Sequence, residues 1–196
     1  MENASESTIK GTGVVAGVAY AEAVWVRPRP ALPTEGSIDP EQASESEYNR
    51  FLAAVDTVAN RLEKRAAAAE GQAAEVLTAT AGMVKDRGWH KTVRKNIRTG
   101  RNAEFATVGA TDKFVTMFEA AGGVMAERTT DLKDVRDRVI AELRGEDEPG
   151  LPLVDGEAVL FADDLAPADT ATLDTKHIKA LVTELGGPTS HTAIIR

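Results

Sequence analysis

The chain contains no cysteine among its 196 residues. That excludes disulfides, thiolate nucleophiles and cysteine-ligated zinc, and it fits a reducing compartment. Histidine is scarce too, with three copies, so each has to be placed individually. No apolar run approaches the roughly 20 residues that span a bilayer. The start, MENASESTIK, is polar and acidic and lacks the apolar centre of a secretory signal. A cytoplasmic protein without membrane contact is expected. Positive charge is in the minority, with 23 Lys and Arg against 31 Asp and Glu and a formal net charge of −8. Such a surface does not attract nucleic acid along its length, and none is expected as a partner. No G-x-S-x-G elbow occurs, which removes the hydrolase reading of the serines.

What remains is a chain with 42% hydrophobic and 28% charged residues, the balance of a folded protein of one domain or two small ones. GTGVVAGVAYAEAVWV (11–26) is β-branched and aromatic, with Tyr20, Glu22, Val24 and Val26 alternating against Ala21, Ala23 and Trp25. It reads as strand, interrupted at Gly11, Gly13 and Gly17. In RPRPALPTEG, Pro28, Pro30 and Pro33 stop both ladder and helix, making a stiff linker.

From Asp39 the period becomes helical. Asp39 is placed as N-cap, Pro40 at the first helical position, and Tyr48, Leu52, Val55, Val58, Ala59 and Leu62 form one stripe. A second helix is expected from Gln72 to about Asp86 with Val76, Leu77, Met83 and Val84 inward, and a third carries Trp89, Val93 and Ile97. A fourth follows Asn102 and is expected to bury Phe105, Val108, Phe114, Val115 and Phe118. The fifth, TTDLKDVRDRVIAELRG, aligns Leu132, Val135, Val139, Ile140 and Leu143 and stops at Gly145. Short connections between amphipathic helices imply a bundle. GEAVLFADD and KALVTELGG then read as strands joined by a short helix over APADTATLD. The expected fold is α+β: a helical bundle, residues 38–145, inserted into an α/β unit made of residues 8–30 and 150–196.

Two stretches carry charge or chemistry. KDRGWHKTVRKNIRTGR (85–101) holds seven Lys or Arg and one Asp. It reads either as a solvated helix face or as a docking surface for an anion or acidic partner. In LVTELGGPTSHTAII, a strand leads through Gly186 and Gly187, which allow close backbone approach, to Thr189, Ser190, His191 and Thr192 at the head of a helix. Free N–H groups and the positive end of a helix dipole favour a phosphoryl group there. The same field keeps an imidazole neutral, with a lone pair available as nucleophile. His191 is thus either a phosphoryl-accepting nucleophile or a polar residue opening a helix; its neighbours alone leave both open. A metal site is not expected, since His90 and His177 lie in unrelated contexts and no second histidine stands at ligand spacing from His191.

GGPTSHTAII resembles the phosphohistidine signature GG-x-T-S-H-x-[AS]-I-x-A-R of the Enzyme I family of the phosphoenolpyruvate:sugar phosphotransferase system. GTGVVAGVAYAEA is similar to that family's glycine-rich opening, AERTTDLKDVRDRVIAEL to its E-R-x-x-D-x-x-D-x-x-x-R helix, and VLFADDLAPADTATLD to the segment after its bundle. The histidine signature is shared with the swivelling domains of pyruvate phosphate dikinase and phosphoenolpyruvate synthase, which differ across the helical block. The resemblance implies a swivelling phosphohistidine domain in which His191 takes the phosphoryl group of phosphoenolpyruvate and passes it to a histidine of the carrier HPr. Gly186, Gly187, Thr189, Ser190 and Thr192 would steady the phosphoryl oxygens. The inserted bundle would dock HPr over Gln72–Trp89, with Gln72, Glu75, Thr80, Met83 and Asp86 as contacts.

The resemblance also implies a phosphoenolpyruvate-binding barrel with Mg²⁺ and the family's homodimer contact, and neither has a counterpart in this sequence. The expectation is therefore a monomeric piece with no cofactor of its own, unable to use phosphoenolpyruvate alone and serving at least as an HPr-docking module. Where the family commonly has threonine in DLTP, this chain has Ala166, one hydroxyl fewer near the histidine.

Overall fold

The computed structural model describes residues 8–151, 154, 156–163, 165, 173 and 175–184, with residues 72, 73 and 127 described by backbone only. The chain forms two compact units, one of residues 27–153 and one of residues 1–26 with 154–196. The architecture is α+β, a helical bundle and a small parallel sheet.

In the helical unit, α1 (Pro40–Ala68) starts as its sequence dictates, with Pro40 at the first position and the Asp39 carboxylate accepting the Glu41 N–H at 3.0 Å. Its buried stripe is Phe51, Ala54, Val55, Val58, Ala59 and Leu62. The expected stripe omits Phe51 and includes Tyr48 and Leu52, which the structure leaves half-buried at the margin. Phe51 wins the centre because its ring meets Trp89 edge-on at 5.4 Å.

On α2 (Gly71–Val84), Val84 and Ala81 are buried and Leu77 and Met83 half-buried against the core. Val76, expected inward, is 42% exposed. Leu77, Ala81 and Val84 are spaced four and three apart, and Val76 stands one residue, about 100°, away from that face. The helix ends before the expected Asp86, because Asp86 leaves helical geometry to cap the next one. In α3 (Arg87–Arg98), Trp89, Val93 and Ile97 are all fully buried, as their spacing requires.

Asn102 caps α4 (Ala103–Ala121), its side-chain oxygen accepting the Phe105 N–H at 2.9 Å. The inward face of α4 is mainly small: Ala103, Ala106, Thr107, Ala110 and Thr111, joined by Val108 and Val115. Phe105, Phe114 and Phe118 are only half-buried, contrary to expectation. Small side chains bring the α4 backbone close to α3 and α6, and the phenyl rings cannot occupy that narrow seam. Within it the Trp89 indole N–H donates to Thr111 Oγ1 at 3.2 Å, and that hydroxyl donates to the Thr107 carbonyl at 2.9 Å. Thr111→Val keeps the shape but leaves the indole N–H without its acceptor. The expected loss is about 1–3 kcal/mol, read from the urea midpoint at unchanged m-value.

A five-residue helix, α5 (Gly123–Glu127), which the periodicity does not announce, precedes α6 (Thr129–Arg144). Leu132, Val135, Val139 and Ile140 are buried, and Gly145 ends the helix in the left-handed conformation at φ 67°. The ends of this unit are tied together. Arg27 and Gly150 exchange backbone hydrogen bonds at 3.3 and 3.0 Å, with Gly150 at φ 87°, and Arg144 donates to the Ala31 carbonyl at 2.6 Å.

In the other unit, β1 (Glu22–Trp25), β2 (Ala158–Ala162) and β3 (Ile178–Thr183) make one parallel sheet in the order β1-β2-β3. Glu22 pairs with Ala158 and Trp25 with Phe161. Ala158, Leu160 and Ala162 form its buried row. The strand expected over 11–26 is real only at its end. Residues 8–21 have no ladder partner among the described residues, since β2 begins opposite Glu22, and Val14, Val15, Val18 and Tyr20 are exposed. The helix expected over APADTATLD lies, apart from Leu173, outside the described residues.

Candidate functional site

In a parallel α/β sheet, ligand sites form beyond the carboxyl ends of the strands. Here Trp25, Ala162 and Thr183 mark that edge. The exit from β3 is fastened to β2 by the Glu184 N–H, which donates to the Ala162 carbonyl at 3.0 Å. Leu165, just after β2, is buried. The sequence then runs from Glu184 into the glycine–histidine stretch. Gly186, Gly187, Thr189, Ser190, His191 and Thr192 lie outside the described residues, as does Ala166. The structure therefore provides the strand that delivers this stretch, and the edge of the sheet from which it leaves.

The second group of candidates sits on α2 and the head of α3. The side chain of Gln72 lies outside the described residues. Glu75 is exposed, and Thr80 is half-buried with its hydroxyl donating to the Val76 carbonyl at 2.9 Å. Met83 leans on the core cluster. Asp86 is exposed, but one oxygen is committed to the Trp89 N–H at 2.7 Å, the N-cap bond of α3. Val76, Thr80 and Met83 follow one another at helical spacing, so the exposed Val76 adds an apolar element to this face. Its exposure was the missing signal, and only the packing of α2 supplies it.

Asp86 can be separated into its two roles. Asp86→Ala is expected to lower stability by about 1 kcal/mol, whereas Asp86→Asn preserves the cap and stays within a few tenths, as thermal melts would register. A loss of partner affinity in the asparagine variant then reports docking rather than folding.

The motif on α6 is structural. Arg138 Nε contacts Asp134 Oδ2 at 2.6 Å and its Nη1 engages Glu148, whose other oxygen meets Arg65 Nη2 at 3.1 Å. Burial works against the Arg138 charge, but Asp134 and Glu148 outweigh it and hold the guanidinium above its usual range. Arg65, buried with less compensation, is pushed down. The network joins α1, α6 and the segment after α6.

Among the described residues, no group of three or more His, Asp or Glu side chains is placed to hold a metal ion. No helix among them is long and apolar enough to cross a membrane.

Residues 10–128 match the family model for the N-terminal part of PEP-utilising enzymes, and residues 154–196 match the model for their mobile domain. A phosphoenolpyruvate-protein phosphotransferase of Streptomyces coelicolor is 42% identical over 97% of this chain and 34% of its own length. The one from Bacillus subtilis is 32% identical over 95% of this chain and 33% of its own. The chain thus spans about a third of these curated relatives. Among solved structures, an NMR structure of Enzyme I superposes with a TM-score of 0.74 at 27% identity, covering 95% of this chain and 77% of that one. A structure described as the N-terminal domain of a nitrogen Enzyme I reaches 0.54 at 25% identity, covering 86% and 78%. Two family matches in order, a shared fold and relatives that align over nearly the whole chain agree: the chain belongs to the PEP-utilising enzyme family, of which it carries the N-terminal and mobile-domain parts.

Proposed function

We propose that this chain is the phosphohistidine-bearing part of a phosphoenolpyruvate-protein phosphotransferase, with His191 as the group that carries the phosphoryl. The observation that carries the reading is the order of parts. A helical unit of the family's N-terminal type precedes a mobile-domain match that contains GGPTSHTAII at the exit of a parallel strand.

In the proposed transfer, the lone pair of a neutral His191 imidazole nitrogen attacks the phosphorus of a phosphorylated histidine on HPr. A P–N bond forms as another breaks, and the HPr imidazole leaves with the electron pair of its old bond. Like is exchanged for like, so the reaction runs in either direction without phosphoenolpyruvate. The N–H groups of Gly186 and Gly187 and the hydroxyls of Thr189, Ser190 and Thr192 would meet the phosphoryl oxygens. HPr would rest on the α2–α3 face, around Gln72, Glu75, Val76, Thr80, Met83 and Asp86. Phosphoenolpyruvate, Mg²⁺ and the dimer contact belong, in this reading, to the remainder of a longer protein. Among the described residues, no carboxylate cluster is placed to hold Mg²⁺.

Incubation with phosphorylated HPr is expected to yield an acid-labile, base-stable phosphate on this chain. A chain that stays unlabelled while a longer relative is labelled under the same conditions would refute the transfer. Titration with unphosphorylated HPr measures docking separately.

A further inference from the structure

Of the stretch over residues 85–101, only Asp86 is named among the docking residues proposed above, and the structure gives its basic residues a shape of their own. Between α1 and α3 lies a depression of about 250 Å³ lined by Tyr48, Arg87, His90, Lys91 and Arg94. Arg87, Lys91 and Arg94 are spaced four and three apart, so α3 presents them on one face.

Ordinary surface cations are paired or loosely spread, and these differ. Neither Arg87 nor Lys91 forms an ion pair among the described residues. Arg94 has one carboxylate near it, the exposed Glu45 at 3.6 Å, which is a loose contact. The Arg94 guanidinium is held over the Tyr48 ring, 4.7 Å from its centre, and its buried Nε has no hydrogen-bond partner. His90 is fixed as well: Nε2 lies 2.7 Å from the Val84 carbonyl, which can only accept, so Nε2 carries the proton. Three cations against one carboxylate leave a local surplus of two positive charges on a chain whose formal net charge is −8.

We propose that this depression is a binding site for a small phosphomonoester dianion. The charge surplus equals that of the ligand, which carries about −1.5 to −2 at neutral pH. Two guanidinium forks and an ammonium are the donors that phosphate oxygens take. The Tyr48 ring, stacked on Phe51 and covered by Arg94, offers the ester's organic part its apolar edge. The volume, below the usual span of roughly 300–1,000 Å³ for drug-sized ligands, sets the limit at a small metabolite rather than a nucleotide or a polymer.

The test is a residue-resolved NMR titration of the full chain with inorganic phosphate, glycerol 3-phosphate and phenyl phosphate at constant ionic strength, with sodium chloride as control. Saturable shifts centred on Arg87, Lys91 and Arg94 are expected at millimolar ligand or below, with both esters tighter than phosphate. Arg87→Gln with Lys91→Gln should weaken binding at least tenfold while the melting temperature holds, since both side chains are exposed. Lys95→Gln with Arg98→Gln removes the same charge from α3 outside the depression and should change affinity less than twofold. His191→Ala should leave these shifts intact, which separates this site from phosphate bound near the histidine. Equal loss in the two double variants would mean diffuse attraction, and shifts that are absent, unsaturable or abolished by His191→Ala would also overturn the proposal.

Discussion

His191→Ala is expected to accept no phosphoryl group from phosphorylated HPr, a fall of at least a thousandfold in labelling rate. A thousandfold corresponds to about 4 kcal/mol of barrier, and removal of a covalent nucleophile commonly exceeds it. The reason is that no neighbour can stand in. Thr189, Ser190 and Thr192 are alcohols, weak nucleophiles at neutral pH without an adjacent base, and their phosphate esters are stable to acid, unlike a phosphoramidate. Ser190→Ala should slow transfer far less, by up to about a hundredfold, since it removes one of several proposed oxyanion donors. Titration with unphosphorylated HPr should be unchanged in His191→Ala, because the proposed docking face lies in the helical unit. An acid-labile label on the alanine variant would move the phosphoryl group to another residue.

Phe51→Ala is expected to cost the helical unit about 3–5 kcal/mol, the range for deleting a large buried aromatic. Phe51 is fully buried and its ring lies within 6.0 Å of three others, those of Tyr48, Trp89 and His90. Deletion leaves a cavity bounded by the rigid Trp89, which also holds the Thr111 hydrogen bond and cannot collapse inward without losing it. Against a total of about 5–15 kcal/mol for a domain, this is a large fraction. The melting temperature should fall on the order of 10–20 °C. Leu52→Ala, on the half-buried margin, should lose less than half as much. Equal losses would return the stripe to the face drawn through Tyr48 and Leu52.

That pair also shows what a sequence can and cannot specify. Helix starts are legible because capping is local: Asp39 and Asn102 bond to N–H groups two and three residues away, and no tertiary knowledge is needed. The α3 and α6 stripes are legible because each helix has one apolar side and charges elsewhere. On α1 and α4 the apolar arc is wider than the buried one, and the neighbour decides the rotation. Trp89 selects Phe51 over Leu52, and the narrow seam with α3 and α6 selects alanine and threonine over three phenylalanines. The opening strand was legible in type but not in length, because β2 limits how much of it finds a partner. The GGPTSH stretch was legible only as a pair of alternatives, since residue types and order fit a phosphoryl acceptor and a helix-opening polar residue alike, and the family resemblance favours the first. The α3 depression was visible only as charge, because Tyr48, some forty residues earlier in the chain, supplies its wall.

The backbone bridge between Arg27 and Gly150 bears on how the molecule can assemble at all. The β1–β2 ladder pairs residues separated by more than a hundred positions, a contact of high order that an open chain reaches slowly. The helical unit is built largely from neighbouring helices, and once formed it holds its own two ends within hydrogen-bond distance. The entropy of closing that long loop is then met before the strands meet. Synthesis from the N-terminus would leave β1 waiting unpaired while the bundle forms, and the bundle then delivers β2 alongside it. The insert thus acts as an internal splint, shortening the search that brings β2 to β1.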